Sequence, residues 1–369
     1  LTPRIGIDAH YLGQRAGGNE THVRTLLQGL AAIDSTLDFR VYLHPDAAPD
    51  TPDAAGFRTA PIPFRSSYLR VPFALPWLGK RDKLDLMHVQ YTAPPIMPTP
   101  YVVTMHDAVA FRFPESLPFA DRHRLRMMTR NTLRRSRRVF TVTEAMRREI
   151  STRFHIDPTR ITVTPNALTP GMAPVLDDTR REAVRARYGL PDRFILYVGQ
   201  LQPRKNLGRL VQAYTHLAKE GLPQDLVITG KAAWLYDATF EAVRHSDLEH
   251  RIHFTDYVPQ ADLPVLYSLA EVFAFVSLYE GFGIPVIEAL ACGTPVIAST
   301  DPALVEVAGG GAMHVDPLDV SALAAGLGRL CGDEELRSAL VKQGQPHART
   351  YTPEAMARAA VAGYEDALS

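Results

Sequence analysis

Short, β-branched apolar runs alternate with longer amphipathic stretches along nearly the whole chain, and no other feature narrows its possible folds so sharply. In the front half the strand candidates are RIGIDA at 4–9, FRVYLH at 39–44, LMHVQ at 86–90, YVVTMH at 101–106 and RVFTVT at 138–143. Helical patterns such as THVRTLLQGLAAI at 21–33 and an arginine-rich segment at 119–137 lie between them. The rear half repeats the scheme with FILYVG at 194–199, LVITG at 226–230, RIHFTDYV at 251–258, VFAFVS at 272–277, PVIAS at 295–299 and AMHV at 312–315. Strand and helix in regular succession predict parallel sheets covered by helices on both faces. Right-handed crossovers then make each half a doubly wound α/β unit.

A length of 369 residues suits about two such domains. The joint falls in the breaker-rich segment NALTPGMAPVLDDT at 166–179. We therefore expect one domain over 1–170 and a second over 171–352. The last stretch, 353–369, reads as an amphipathic helix with a Thr cap and a first-turn Pro, packing back toward the first domain. Ligands of such folds bind at the carboxyl ends of the strands, so a cleft between two facing domains is the place to look.

Composition removes several classes. At 46% hydrophobic and 22% charged the chain is neither disordered nor fibrous. No apolar stretch approaches the roughly 18 to 20 residues of a membrane span, and LTPRIGIDAH does not read as a secretory signal. Two cysteines, Cys292 and Cys331, cannot build a zinc cluster or a disulfide scaffold, and a cytoplasmic home is expected. The zero net charge argues against nucleic-acid binding by phosphate neutralisation. It hides a division: 23 Lys/Arg against 15 Asp/Glu over 1–170, and 17 against 25 over 171–369.

Three segments carry residue types suited to chemistry. In AGGNETHV at 16–23, Gly17 and Gly18 follow the first strand and open a helix. They serve either the turn itself or the approach of backbone N–H groups to a phosphate. Three glycines and a downstream acid would mark a dinucleotide site, and this spacing differs. In GQLQPRKNL at 199–207, Arg204 and Lys205 precede a helix, either as an exposed basic loop or as a diphosphate clamp. In SLYEGFGIPVIEALACGTPVIAS at 277–299, seven residues separate Glu280, in a glycine-containing loop, from Glu288, in the following helix. Carboxylates accept paired sugar hydroxyls well, so two of them can hold two sugar rings. A glycoside-hydrolase pair fits this setting less well.

With GGNETHV, VVTMHD, YVGQLQPRKNL, LVITGKAAWLY and above all EGFGIPVIE, the whole chain resembles the family 4 retaining glycosyltransferases. Its branch is most similar to the mannosyltransferases of bacterial glycan assembly. The resemblance implies the GT-B fold, two Rossmann-like domains facing across a cleft, and a nucleotide-sugar donor. It implies that Gly17 and Gly18 approach the donor phosphates and that Arg204 and Lys205 neutralise the diphosphate leaving group. Glu280 would bind donor-sugar hydroxyls together with backbone N–H groups near Phe282 and Gly283. Glu288 would bind the ribose, the backbone at Val258 the base, and His106 the donor sugar near the reacting carbon.

This chain has Glu20 and Gln200 where many members of the family have Gly and Arg. Its phosphate loop is then less open, and the diphosphate charge rests chiefly on Arg204 and Lys205. Members work without a metal, and no Asp-X-Asp pair stands at a strand end here. The resemblance favours GDP-mannose as donor, with a UDP-hexose transferase as the alternative. A nucleotide-sugar epimerase or a silent nucleotide-sugar-binding protein stands further behind. The acceptor, a glycan or lipid-linked glycan, is expected on the first domain. There the aromatic run SYLRVPFALPWL at 67–78, read as a loop with an embedded Arg70, lies near eight arginines between Arg122 and Arg138. That pairing suits peripheral contact with an anionic membrane at its inner face.

Overall fold

The computed structural model describes residues 2–14, 16–47, 56–114, 119–231 and 237–369; Phe119, Ala120, Asp121, Asp237 and Ala238 are described as backbone only. The AWLY portion of the quoted LVITGKAAWLY segment, with Ala232, lies outside the described residues. The chain divides into unit 1, residues 1–167 with 351–369, and unit 2, residues 168–350.

Unit 1 holds a seven-stranded parallel sheet in the order β3-β2-β1-β4-β5-β6-β7. Its strands are β1 (Arg4–Ala9), β2 (Asp38–Leu43), β3 (Arg58–Pro61), β4 (Leu86–Gln90), β5 (Tyr101–Thr104), β6 (Arg138–Thr141) and β7 (Ile161–Val163). Unit 2 holds six parallel strands in the order β10-β9-β8-β11-β12-β13. These are β8 (Phe194–Val198), β9 (Asp225–Thr229), β10 (Ile252–Asp256), β11 (Val272–Phe275), β12 (Val296–Ser299) and β13 (Ala312–Val315). Both orders are doubly wound, as the alternation predicts. Central strands such as FILYV and VFAF are buried at every position, because helices cover both sheet faces.

The sequence pattern misses β3 and β7, and both are edge strands. RTAP is mostly exposed and ends in Pro, and β7 has three residues, so neither carries a long apolar run. A second difference concerns 67–78, which is helical rather than a loop. Ser66 caps a turn at Ser67–Leu69, a π-turn covers Arg70–Ala74, and a helix runs over Leu75–Arg81. Pro72 falls in the π-turn and Pro76 in the first turn of that helix, where a missing N–H costs little.

The helix Pro353–Leu368 belongs to unit 1. Met356, Ala357, Ala360 and Tyr364 are buried in one core with Ile5, Ile7, Leu26 and Leu27. Where it crosses the helix Gly18–Ala32 the two backbones nearly touch: a Cβ on Gly29 would lie 1.9 Å from the Pro353 carbonyl oxygen. The Tyr364 hydroxyl lies 2.7 Å from His88 Nδ1, which ties this helix to β4. Among the described residues no helix is long and apolar enough to cross a membrane.

Candidate functional site

In each sheet the strand order reverses at one place, between β1 and β4 in unit 1 and between β8 and β11 in unit 2. Loops leaving the carboxyl ends of neighbouring strands diverge at such a point and open a crevice. In unit 2 these are the loop after β8, which carries Arg204 and Lys205, and the loop after β11, which carries Glu280. Backbone and side-chain bonds lock the two together: Leu278 N–H donates to the Arg204 carbonyl at 2.8 Å, and Asn206 Nδ2 donates to the Val276 carbonyl at 3.1 Å.

The side chains converge there. Arg204 Nη1 lies 2.9 Å from Glu280 Oε2 and donates to the Tyr279 carbonyl at 3.1 Å. Lys205 Nζ donates to Glu280 Oε1 and stands 4.8 Å from the centre of the Phe275 ring. All three charged groups are largely buried. Burial alone would push the Glu280 carboxyl up, but Arg204 and then Lys205 outweigh it and hold it at about 2. Glu280 is therefore a fixed anion between two cations, and the group of three keeps one net positive charge.

Glu288 sits eight residues on, in the helix Ile284–Ala291, and does not join that cluster. Thr169 Oγ1 donates to its Oε1 at 2.7 Å and the Tyr267 hydroxyl to its Oε2 at 3.1 Å. Hydroxyls neutralise less than cations do. Burial consequently dominates and raises Glu288 to about 7, against the pull of Thr169 and Tyr267. Two glutamates of one motif thus hold opposite protonation preferences.

Gly283 starts the helix with φ +96, a left-handed conformation that favours glycine. A Cβ there would also lie 2.4 Å from Leu304 Cδ2. Phe282 beside it is buried. Asp301 caps the next helix, Pro302–Ala308, through the N–H groups of Ala303 and Leu304. Val258 follows β10 with its side chain buried.

The remaining candidates lie in unit 1. Gly17, at φ +61, precedes the helix Gly18–Ala32, whose first N–H groups have no intrahelical partners. Glu20 closes the neighbouring part of that turn: its carboxylate accepts from Gly13 N–H at 3.1 Å and Ala16 N–H at 2.9 Å, and Arg24 balances it at 2.9 Å. Two backbone donors that an open glycine loop would present are thus already held.

His106, just beyond β5, is buried. Its Nε2 lies 2.8 Å from Gln90 Oε1, and its ring meets His22 edge to face at 4.3 Å. His22 in turn places Nδ1 2.7 Å from Asn166 Oδ1. Burial first, then His22 and His88, hold His106 well below the usual imidazole range, so its ring is neutral.

Arg70 is a finding the sequence did not give. Instead of lying on a surface it is buried, with Nη1 2.6 Å from Asp8 Oδ2 and 2.6 Å from His10 Nδ1. The pattern also passed over Thr169, Tyr267, Gln90 and His22. These touch the candidates from distant positions, and no spacing signals them.

A family model described as "Glycosyl transferases group 1" matches residues 180–347, and one described as "Glycosyltransferase Family 4" matches residues 16–170. The chain is 33% identical over 258 residues to O-antigen chain mannosyltransferase B of Escherichia coli, covering 69% of this chain and 67% of that protein. Among solved structures it is similar to sucrose-phosphate synthase from Thermosynechococcus elongatus, with a TM-score of 0.77 at 23% identity over 98% of both chains. It is also similar to Anabaena HepE in complex with UDP and glucose, with a TM-score of 0.76 at 17% identity over 99% of this chain and 100% of that one.

Proposed function

Because the chain belongs to the group 1, family 4 glycosyltransferases, hexosyltransferases of GT-B fold, we propose that it moves mannose from GDP-mannose to a glycan or lipid-linked glycan, with retention of configuration and without a metal. Unit 2 takes the nucleotide sugar and unit 1 the acceptor. The enzyme works in the cytoplasm, at the inner face of the membrane.

One observation carries this reading: Arg204 and Lys205 converge on a buried glutamate at the switch point between β8 and β11. Cleaving the sugar–phosphate bond leaves negative charge on the diphosphate and positive charge on the anomeric carbon. A guanidinium and an ammonium already desolvated and held in place stabilise that leaving group without reorganising, which is where such sites gain most of their rate. Glu280 orients both cations and accepts from donor-sugar hydroxyls, aided by the backbone around Phe282 and Gly283. Gly17 and Gly18 meet the donor phosphates. Glu288, held by Thr169 and Tyr267, meets the ribose, and the backbone at Val258 meets the base. His106, neutral and tied through Nε2 to Gln90, offers a hydrogen bond to a sugar hydroxyl. In retention the acceptor hydroxyl attacks on the face the phosphate leaves, and a phosphate oxygen takes its proton.

Similarity to the Escherichia coli mannosyltransferase supports mannose, and GDP is the nucleotide that the family resemblance favours. A thermal-shift and hydrolysis panel of GDP-mannose, UDP-glucose, UDP-galactose and UDP-N-acetylglucosamine tests the choice, since a ligand of the folded state raises its melting point. Stabilisation and turnover with GDP-mannose alone are expected. A response confined to the UDP sugars replaces this donor with a UDP-hexose.

A further inference from the structure

Among the described residues, every exposed large apolar side chain of unit 1 comes from one stretch of chain, residues 68–127. Tyr68 is 60% exposed, Leu69 44%, Phe73 60% and Trp77 51% along the helical strip 67–81. Ile96, in the loop after β4, is 79% exposed, and Met127, on the helix Phe119–Arg135, is 70% exposed.

These segments touch one another. Arg124 of that helix lies 4.2 Å from the centre of the Tyr68 ring. Thr132 holds the loop through Ala93 N–H at 2.9 Å, and Arg135 donates to the Pro95 carbonyl at 2.7 Å. The strip packs on the same loop so closely that a Cβ on Gly79 would lie 2.4 Å from Thr99 Oγ1.

The strip's geometry explains why the apolar side chains turn outward together. Leu69, Phe73 and Trp77 recur every four residues, a spacing that drifts around a 3.6-residue helix. The wider π-turn at Arg70–Ala74 offsets part of that drift, and it turns Arg70 inward to Asp8. The polar member of the run is removed from the face, and the apolar members stay on it.

Charge says what covers such a face. The helix Phe119–Arg135 carries six arginines and one acid, and Arg130, Arg134 and Arg135 are exposed. Arg135 and Arg137 also line a cavity of about 230 Å³ walled by Pro94, Pro95 and Pro98, beside Ile96. Aromatic and aliphatic side chains interleaved with arginines match the boundary between headgroups and acyl chains of an anionic bilayer. A protein partner would have to bring acids against the arginines and apolar side chains against the aromatics, whereas an anionic bilayer supplies headgroup charge and an acyl layer along one plane.

We infer that this face of unit 1, made of the strip 67–81, the loop at 92–100 and the helix Phe119–Arg135, is a docking surface for an anionic lipid bilayer. It deepens the membrane-side reading above, and it rests on that reading only for what the bilayer delivers.

The test is flotation of the full chain with vesicles of phosphatidylcholine alone and with about 30 mol% phosphatidylglycerol, at about 50 mM and about 500 mM salt. The wild-type chain is expected to float with the anionic vesicles at low salt and to lose most of that binding at high salt. Phe73→Asp/Trp77→Asp replaces exposed side chains and is expected to keep its melting point and its thermal shift with donor. Its bound fraction should fall at least tenfold, and Arg130→Glu/Arg134→Glu should do the same. The proposal is overturned if the wild-type chain does not float at low salt or if both double variants float as it does. It is equally overturned if the chain is a dimer that Phe73→Asp/Trp77→Asp dissolves without any vesicle binding. A chain that answers to donor but not to vesicles separates this failure from failure of the proposed transferase reading.

Discussion

The Lys205 ammonium and the Glu280 carboxylate, 75 residues apart in the chain, are bonded to each other in the interior of unit 2. Glu280 makes the buried ammonium tolerable, and Lys205 joins Arg204 in doing the same for the carboxylate, since a lone buried charge costs far more than a paired one. A donor diphosphate would have to share Lys205 with Glu280 rather than find it waiting in water.

Lys205→Ala is therefore expected to cut turnover about 100-fold, the usual effect of removing one preorganised donor from developing charge. Arg204 still faces Glu280 at 2.9 Å, so the fold should survive. Steady-state rates and far-ultraviolet circular dichroism, measured together, check both halves. A folded variant at full activity would falsify the role given to Lys205.

Glu280 and Glu288 should pull stability in opposite directions with pH. Glu280, held at about 2 against an ordinary 4.5, contributes stability that is present above 4.5 and lost as pH falls toward 2. Glu288, raised to about 7, contributes stability that is present below 4.5 and lost as pH rises through 7. Each swing is roughly 3 kcal/mol at most. Asp301, raised by burial to about 6, adds to the second trend. Urea midpoints measured from pH 3 to 8 should show Glu288→Gln flattening only the upper slope. An unchanged upper slope in that variant would mean that Glu288 titrates normally.

The two acids also show where sequence reading stops. EGFGIPVIE marks a loop and a helix start, and both are there. What sets the glutamates apart is their partners: Arg204 and Lys205 for one, Thr169 and Tyr267 for the other. Those partners lie up to 119 residues away, and spacing does not encode them. Strands buried on both faces, such as FILYV, are legible because every position is apolar. RTAP is not, because an edge strand needs no such run. The segment 67–78, expected as a loop, is helical, and the π-turn that accommodates Pro72 has no sequence mark of its own.

His106 should not generate a pH limb of its own. Burial, then His22 and His88, keep it neutral, so between pH 5 and 8 its charge does not change. His106→Gln is expected to lower turnover while leaving the shape of the pH–rate profile as it was. Nitrogen-15 shifts of the His106 ring, constant over that range in the wild-type protein, supply the direct check. A ring that titrates near 6.5 would contradict the burial argument.

Gly29→Ala should destabilise unit 1 by about 1–3 kcal/mol, because the new methyl would meet the Pro353 carbonyl backbone rather than a yielding side chain. Thermal denaturation followed by Tyr364 and its neighbours, for example by hydrogen exchange in the helix Pro353–Leu368, would register the loss. Equal midpoints for variant and wild type would show that the two helices can separate freely.

Unit 2 is one unbroken stretch, whereas unit 1 draws its last 19 residues from the far end of the chain. A ribosome working from the first residue onward therefore finishes the second unit's material before the first unit's. Until Met356, Ala357, Ala360 and Tyr364 emerge, the leading sheet and the helix Gly18–Ala32 lack the second helix that completes their shared apolar core. The usual order, in which the amino-terminal domain matures first during translation, is reversed by this connection, and a nascent chain halted at residue 350 would expose that core to whatever binds unfinished proteins.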